Sequence, residues 1–237
     1  MLGQGTLYAI GTGPGASDLI TVRGANILAS VDVLYTPSGK RGGDSLAYKI
    51  VKEYVGDSVD VKTRHFPMSN SDNEKIQAWD AIADEIQNDV RSGRDVAFIS
   101  LGDSMLFSTW VFLLERLKNK ITIEIIPGIS SFSAISSSSL LPMAMENQTM
   151  AVVPCTIEVA KIEQALLDND VVILMKVYGR FAMIRGILNR LNLLDHAVLM
   201  ANATMDGEIM HKGLASLNDE QELPYFSTVI VNKSELA

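Results

Sequence analysis

The stretch that most restricts this chain runs from Leu7 to Thr21, LYAIGTGPGASDLIT. It opens on Leu7, Tyr8, Ala9 and Ile10, an apolar run that reads as a buried strand. Gly11-Thr12-Gly13-Pro14-Gly15 ends that strand, because the glycines admit backbone conformations closed to other residues and the proline cannot continue a ladder. Asp18 or Thr21 then supplies an N-cap for a helix starting just beyond. A strand, a glycine turn and a helix start make a place where a ligand can approach bare backbone. The spacing is not that of a dinucleotide loop: the glycines fall as G-x-G-x-G, not G-x-G-x-x-G, and Pro14 removes an N–H that a phosphate would use. Two readings stay open at this point, a plain strand-to-helix turn and a loop that shapes a cleft.

Composition narrows the classes. The chain has 237 residues, 47% of them hydrophobic, enough for two modest domains or one large one. A net charge of −8 speaks against a nucleic-acid partner or an anionic membrane surface. Cys155 is the single cysteine, so no internal disulfide forms and a reducing, cytoplasmic location is expected, with the thiol packed in the interior. No leader pattern and no apolar run of membrane-spanning length is visible, so no targeting or spanning segment is expected. His65, His196 and His211 are scattered without ligand spacing, and no protein-bound metal is expected.

Strand and helix patterns alternate along the first part. Strands are expected at 7–10, 31–35, 59–61, 95–100 and 121–126, the second stopped by Thr36-Pro37-Ser38-Gly39. Helical spacing appears at 44–53, at 107–117 and from Phe132 to before Pro142. It is clearest through Ile76, Trp79, Ile82, Ala83, Ile86 and Val90, closed by Gly93. This alternation predicts an α/β fold with a mainly parallel, helix-covered sheet in a first domain, 1–146. Glycine-rich turns follow three of its strands, at Gly11 to Gly15, Gly102 to Ser104 and Pro127 to Ser131. Ligands of open α/β sheets bind at that edge. A joint at 143–149 leads into a second α/β domain, 147–237, with a mixed sheet: strands at 150–153, 170–176 and 197–201, helices at 158–167 and 181–191, and an antiparallel pair formed by 208–212 and 227–231. A ligand cleft is expected between the two domains.

Together these turns resemble the tetrapyrrole methylase family of S-adenosylmethionine-dependent methyltransferases. The resemblance spans essentially the whole chain. It is carried by GTGPGASDLIT (11–21), VDVLYTP (31–37), LGDSMLFST (101–109) and IPGISSFSA (126–134), with weaker support from LMKVYGR (174–180) and MANAT (200–204). The run GDSMLFST and the LMKVYGR segment point to the branch that methylates C-20 of precorrin-2 or cobalt-factor II in cobalamin synthesis. One departure stands out: the family usually has Gly-Asp-Pro where this chain has Gly102-Asp103-Ser104, exchanging a fixed φ for a freer backbone and a hydroxyl.

The resemblance implies a methyl donor, S-adenosylmethionine, touching Gly102, Asp103, Leu106, Ser130 and Ser131, with Tyr178 and Asn202 reaching the adenine or ribose. Helix capping is the plain alternative for Ser130 and Ser131, and a core position with its hydroxyl at the surface is the alternative for Tyr178. It also implies a tetrapyrrole at Gly13, Pro14, Gly15 and Pro37, entering past Lys40 and Arg41 on a mobile Ser38–Gly43 loop. Asp103 is the candidate base for the meso-carbon proton, or else a carboxylate that fixes its loop by accepting backbone N–H groups. Because the substrate is a polycarboxylate, cations are needed locally; Arg23, Lys40, Arg41, Arg64, Lys176 and Arg180 are the candidates. A homodimer is implied by the same likeness. The rivals are a methylase of another ring position, a diphthamide-type protein methylase, a non-catalytic sensor of the donor or of a tetrapyrrole, and an NAD-dependent oxidoreductase. The last needs an acid where the second strand ends, and that strand ends Tyr35-Thr36-Pro37.

Overall fold

The computed structural model describes residues 4–39, 42–67 and 72–234. The chain divides into two compact units, Met1–Ser130 and Ser131–Ala237. In the first, five strands alternate with four α-helices: β1 (Thr6–Gly11), α1 (Val22–Leu28), β2 (Val33–Ser38), α2 (Leu46–Val51), β3 (Asp60–His65), α3 (Asp72–Arg91), β4 (Val96–Ser100), α4 (Trp110–Leu117) and β5 (Thr122–Ile126). The strands run parallel in the order β3-β2-β4-β1-β5.

Chirality explains where the helices go. The chain steps through α1 and α2 toward β3, then through α3 and α4 back toward β5. Parallel crossovers are right-handed, so reversing direction puts the later helices on the opposite face. Ile10, Leu34, Ala97 and Ile99 accordingly pack on one face with Leu28, Ala47 and Ile50. Leu7, Val33, Tyr35, Val96 and Phe98 pack on the other with Ile86, Val90, Leu113 and Leu117. This period-two alternation is what a strand buried on both faces requires. Thr21 caps α1, its hydroxyl accepting from the Gly24 N–H at 3.1 Å, while Asp18 sits in a short 3-10 turn.

A charged network centred on the buried Asp89 of α3 joins that helix to β2 and β3. The Tyr35 hydroxyl donates to Asp89 Oδ2 at 2.7 Å, and Lys62 Nζ donates to the same oxygen at 2.8 Å. Arg94 pairs with the other oxygen of Asp89, and Arg64 Nε donates to Glu85 Oε2 at 2.7 Å. Burial, and then the bond to Asp89, push the Tyr35 phenol far above its usual range, so it stays a donor. The hydrogen bond from Arg64 holds the Glu85 carboxyl below the usual range.

Two boundaries differ from the expectation. β2 continues through Pro37 to Ser38, paired with β3 alone, because its pairing with β4 ends at Tyr35 and no ladder bond is lost at the proline. α4 begins at Trp110 rather than Phe107: Phe107 is left-handed at φ 50°, and Ser108 Oγ accepts from the Trp110 N–H at 3.1 Å.

The second unit comprises α5 (Ser131–Ser139), β6 (Met150–Pro154), α6 (Val159–Asp168), β7 (Val171–Met175), α7 (Phe181–Arg190), β8 (Ala197–Ala201), β9 (Ile209–Lys212) and β10 (Ser227–Asn232). Its mixed sheet has the order β6-β7-β10-β8-β9. The expected pairing of the last two strands with each other does not occur. β10 is buried along its whole length and inserts between β7 and β8, antiparallel to both, while the mostly exposed β9 takes the edge beside β8. Central burial draws the apolar Val229–Val231 run inward and leaves the mixed Ile209–Lys212 strand at the edge. The expected joint lay at 143–149; the unit boundary falls before α5, since Ile135 and Leu141 pack with Ile173, Val198 and Ile230.

Removing Asp89 leaves Lys62 and Tyr35 without their acceptor. Asp89→Ala is expected to cost about 3–5 kcal/mol in urea unfolding, and Tyr35→Phe about 1–2 kcal/mol. Because the Glu85 carboxyl is lowered in the folded chain, its contribution is complete above the ordinary glutamate range and is lost as pH falls through the lowered value. Stability should therefore decline on acidification below about pH 4.3. Glu85→Gln should flatten that part of the profile while lowering stability at neutral pH; an unchanged acid limb in a urea series against pH would contradict this.

Candidate functional site

The carboxyl edge of the first sheet carries the candidate site. After β2 the chain turns one way across the sheet and after β4 the other way, which makes the crevice between these neighbours the topological switch point. Their pairing ends at Tyr35 opposite Phe98, so the strands part at this edge.

Beside that fork the three glycine turns meet. The Gly102 N–H donates to the Gly13 carbonyl at 2.7 Å, and the Gly13 N–H returns to the Gly102 carbonyl at 3.2 Å. Thr12 is anchored below them, its N–H 2.8 Å and its hydroxyl 3.1 Å from the Ser100 carbonyl. A Cβ at Gly11 would lie 2.6 Å from the Gly102 oxygen, and one at Gly128 only 2.1 Å from it. Both positions require glycine because another backbone fills the space. Gly102 differs: it is left-handed at φ 71°, and a Cβ there would meet nothing within 4 Å. One side of this turn is thus open to a ligand, and the backbone there is bare.

Asp103 ties the second turn to the third. Its Oδ2 accepts from the Gly128 N–H at 2.9 Å and its Oδ1 from the Met105 N–H at 2.8 Å. Both oxygens are engaged in fixing loops. Leu106 follows, half-buried, its N–H 3.3 Å from the Asp103 carbonyl. Ser104 is fully buried, and its hydroxyl has no hydrogen-bond partner among the described residues. Gly13 and Pro14 are buried in the first turn, Gly15 is half-buried, and Pro37 lies two residues past the fork on β2. Lys40 and Arg41 lie outside the described residues. Ser130 directly precedes α5, which Ser131 opens.

Of the other candidate cations, Arg23 pairs with Glu124 and Arg64 with Glu85, while Arg180 Nη1 donates to the Ile157 carbonyl at 3.3 Å. Lys176 follows β7 in a left-handed conformation at φ 60°. Cys155 is fully buried, and burial pushes its thiol up to about 12, so it is an interior packing residue.

In the second unit the ends of β7 and β8 and the start of β10 share one sheet edge, since Thr228 pairs with Met175 and Ser227 with Ala201. Asn202 stands there at φ 52°; its N–H donates to the Phe226 carbonyl at 2.9 Å and its Nδ2 to the Gly207 carbonyl at 3.3 Å. Tyr178 is 55% exposed, so it is not a core aromatic, and its ring lies 6.0 Å from that of Tyr225, which in turn contacts Phe226 at 5.0 Å. Tyr225 and Phe226 were not foreseen; their sequence signal is an aromatic pair just ahead of a strand.

Among the described residues no group of three or more His, Cys, Asp or Glu side chains is placed to hold a metal ion, and no helix is long and apolar enough to cross a membrane. The fold is α/β, and its first sheet's carboxyl edge exposes glycine backbone at Gly102. Residues 6–217 match the Tetrapyrrole (Corrin/Porphyrin) Methylases, and the chain belongs to that family. It is 50% identical over 230 residues to a cobalt-precorrin-2 C(20)-methyltransferase of Salmonella typhimurium, covering 97% of each chain. It is 31% identical to a precorrin-2 C(20)-methyltransferase of a Sinorhizobium species, covering 97% of this chain and 96% of that one. A cobalt precorrin-4 methyltransferase shares the fold at a TM-score of 0.72 and 19% identity, covering 96% of this chain and 94% of the other. So does a uroporphyrin-III C-methyltransferase of Thermus thermophilus, solved with S-adenosylhomocysteine, at 0.66 and 18%, covering 97% and 98%.

The glycines should separate in mutagenesis. Gly128→Ala forces two backbones apart and is expected to cost about 3 kcal/mol or more in unfolding experiments. Gly102→Ala has room for its methyl group but not the favoured φ, so about 1–2 kcal/mol is expected. Its larger effect should be on donor binding, read by calorimetry.

Proposed function

We propose that this chain transfers a methyl group from S-adenosylmethionine to C-20 of a precorrin-2-type ring in cobalamin synthesis, with a cobalt-bearing ring, cobalt-precorrin-2 or its oxidised form cobalt-factor II, as the preferred acceptor. The observation that carries this reading is the near full-length likeness to the Salmonella typhimurium protein named for that reaction. The 50% identity to a protein named for the cobalt-bearing ring supports that acceptor.

The donor, when bound, supplies an electrophilic methyl on a sulfonium, so the chain's tasks are alignment and exclusion of water. Gly102, with open space on one side and a left-handed backbone, suits close approach of the donor, and Asp103, Leu106 and Ser130 complete the first unit's share. From the second unit Ser131, Tyr178 and Asn202 belong to the same proposal by family resemblance. Gly13, Pro14, Gly15 and Pro37 would border the macrocycle near the fork, with Lys40 and Arg41 assigned to its entry by resemblance. Asp103 is assigned a positioning role, because both its oxygens already hold backbone N–H groups. The enzyme is taken to act in the cytoplasm as a homodimer, as the resemblance and the lone cysteine suggest.

The deciding assay offers S-adenosylmethionine with metal-free precorrin-2 and, separately, cobalt-factor II, and determines product mass and ring position. Methylation at C-20, faster on the cobalt-bearing ring, is expected. Methylation elsewhere, or turnover of neither ring while the donor still binds, refutes the assignment. In the same assay Asp103→Asn should lower kcat by about tenfold with an unchanged pH profile, because one clamp bond is lost. Loss of a limb from that profile would instead make Asp103 the base.

A further inference from the structure

The carboxyl edge of the first sheet holds a second feature that the glycine turns do not use. A cavity of about 490 Å³ opens between the ends of β2 and β3 and helix α2. Its wall carries Tyr48, Lys49 and Lys52 on one side, with Ser38 ending β2 and His65 ending β3 on the other. His65 Nδ1 lies 3.3 Å from the Ser38 carbonyl, an acceptor, so that nitrogen carries the proton. Asp44 is the one acid among the described lining residues, and its Oδ2 lies 2.9 Å from Lys49 Nζ. Among the described lining residues two lysines thus accompany one carboxylate, a local positive surplus on a chain whose net charge is −8.

Position gives the surplus a meaning. β2 is the neighbour of β4, whose end carries Gly102, and β3 is one strand further out. At about 4.8 Å per strand, the cavity begins one to two strand spacings from the open side of Gly102, on the same edge and across the fork. Arg64 lies nearby on β3 but is held by Glu85, so among the described residues the lysines of the α2 segment are the cations that line this space.

We infer that this cavity is a carboxylate subsite, in which Lys49 and Lys52 grip an acid side chain on the rim of the tetrapyrrole while the ring's methyl-accepting edge lies at the glycine turns. The inference rests on the methyltransferase reading above and adds to it the residues that set the ring's rotation. A polycarboxylate ring can present several edges to the donor, and a cationic anchor on one side of the fork selects among them. Asp44 holds Lys49 in place and also weakens the field that a substrate carboxylate meets. Removing its charge should therefore tighten binding, whereas removing either lysine should loosen it.

The test uses the full chain and the variants Lys49→Gln, Lys52→Gln, their combination, and Asp44→Asn. Tetrapyrrole affinity is read by fluorescence quenching in the absence of donor, and KM and kcat for both substrates are measured across a salt series. Each lysine variant should raise the tetrapyrrole Kd and KM by about threefold and the double variant by about tenfold. The donor KM should not move, and the salt dependence should flatten. Asp44→Asn should lower the tetrapyrrole Kd. Wild-type turnover with unchanged tetrapyrrole binding in the double variant overturns the subsite alone. Wild-type protein that neither binds nor methylates either ring overturns the methyltransferase reading, and the subsite with it.

Discussion

The close approach of Gly11, Gly102 and Gly128 is the constraint on which the rest of the first unit's edge depends. β1 lies between β4 and β5, so its turn is the middle one, and the Gly102 oxygen comes within 2.1 Å of where a Gly128 Cβ would stand. No side chain fits among these backbones. Asp103 then fixes their spacing through the Gly128 and Met105 N–H groups. Local flexibility is not what the glycines provide here. They let three turns pack as rigidly as a core, and Gly102 keeps one face open.

Electrostatics of the unit follow a similar economy of placement. Cations that look available in the sequence are committed to structure: Arg64 to Glu85, Lys62 and Arg94 to Asp89, Arg23 to Glu124. Arg23 and Glu124 meet at the surface, whereas the pairs on Glu85 and on the buried Asp89 join α3 to β2 and β3, where charge is tolerated because each member has partners. The chain's acidity is thus compatible with an anionic ring, provided that the few cations left at the carboxyl edge stand where the ring's acids fall. The second unit contributes different chemistry, with strained backbone at Asn202 and an exposed aromatic group of Tyr178, Tyr225 and Phe226.

Ser104 marks where this chain leaves the family's usual Gly-Asp-Pro. Its hydroxyl is buried without a partner among the described residues, an arrangement that costs free energy and that proline would avoid. In this chain the turn is fixed by Asp103 and by the paired N–H and carbonyl groups of Gly13 and Gly102.

Much of this was legible in the sequence, for a simple reason: strands buried on both faces and amphipathic helices leave periodic signatures. The order of strands and helices in both units could be read from such runs as Val96–Ser100 and Ile76–Val90, and the three glycine turns were visible as breaks after their strands. What periodicity could not carry was anything decided by partners distant in the chain. The buried Ser227–Asn232 strand and the exposed Ile209–Lys212 strand looked like a pair, yet burial sent the first to the centre of the sheet and the second to its rim. α5 sits before the expected joint but packs its apolar residues on the second sheet. Whether Arg64 was free, and whether Asp103 had oxygens to spare, depended on groups 21 and 25 residues away. Local chemistry in the sequence therefore determined which elements form and where the glycine turns interrupt them. Which strands are neighbours, which charges are already paired and which faces remain open were decided by tertiary packing, because each is a property of two segments and is written in neither alone.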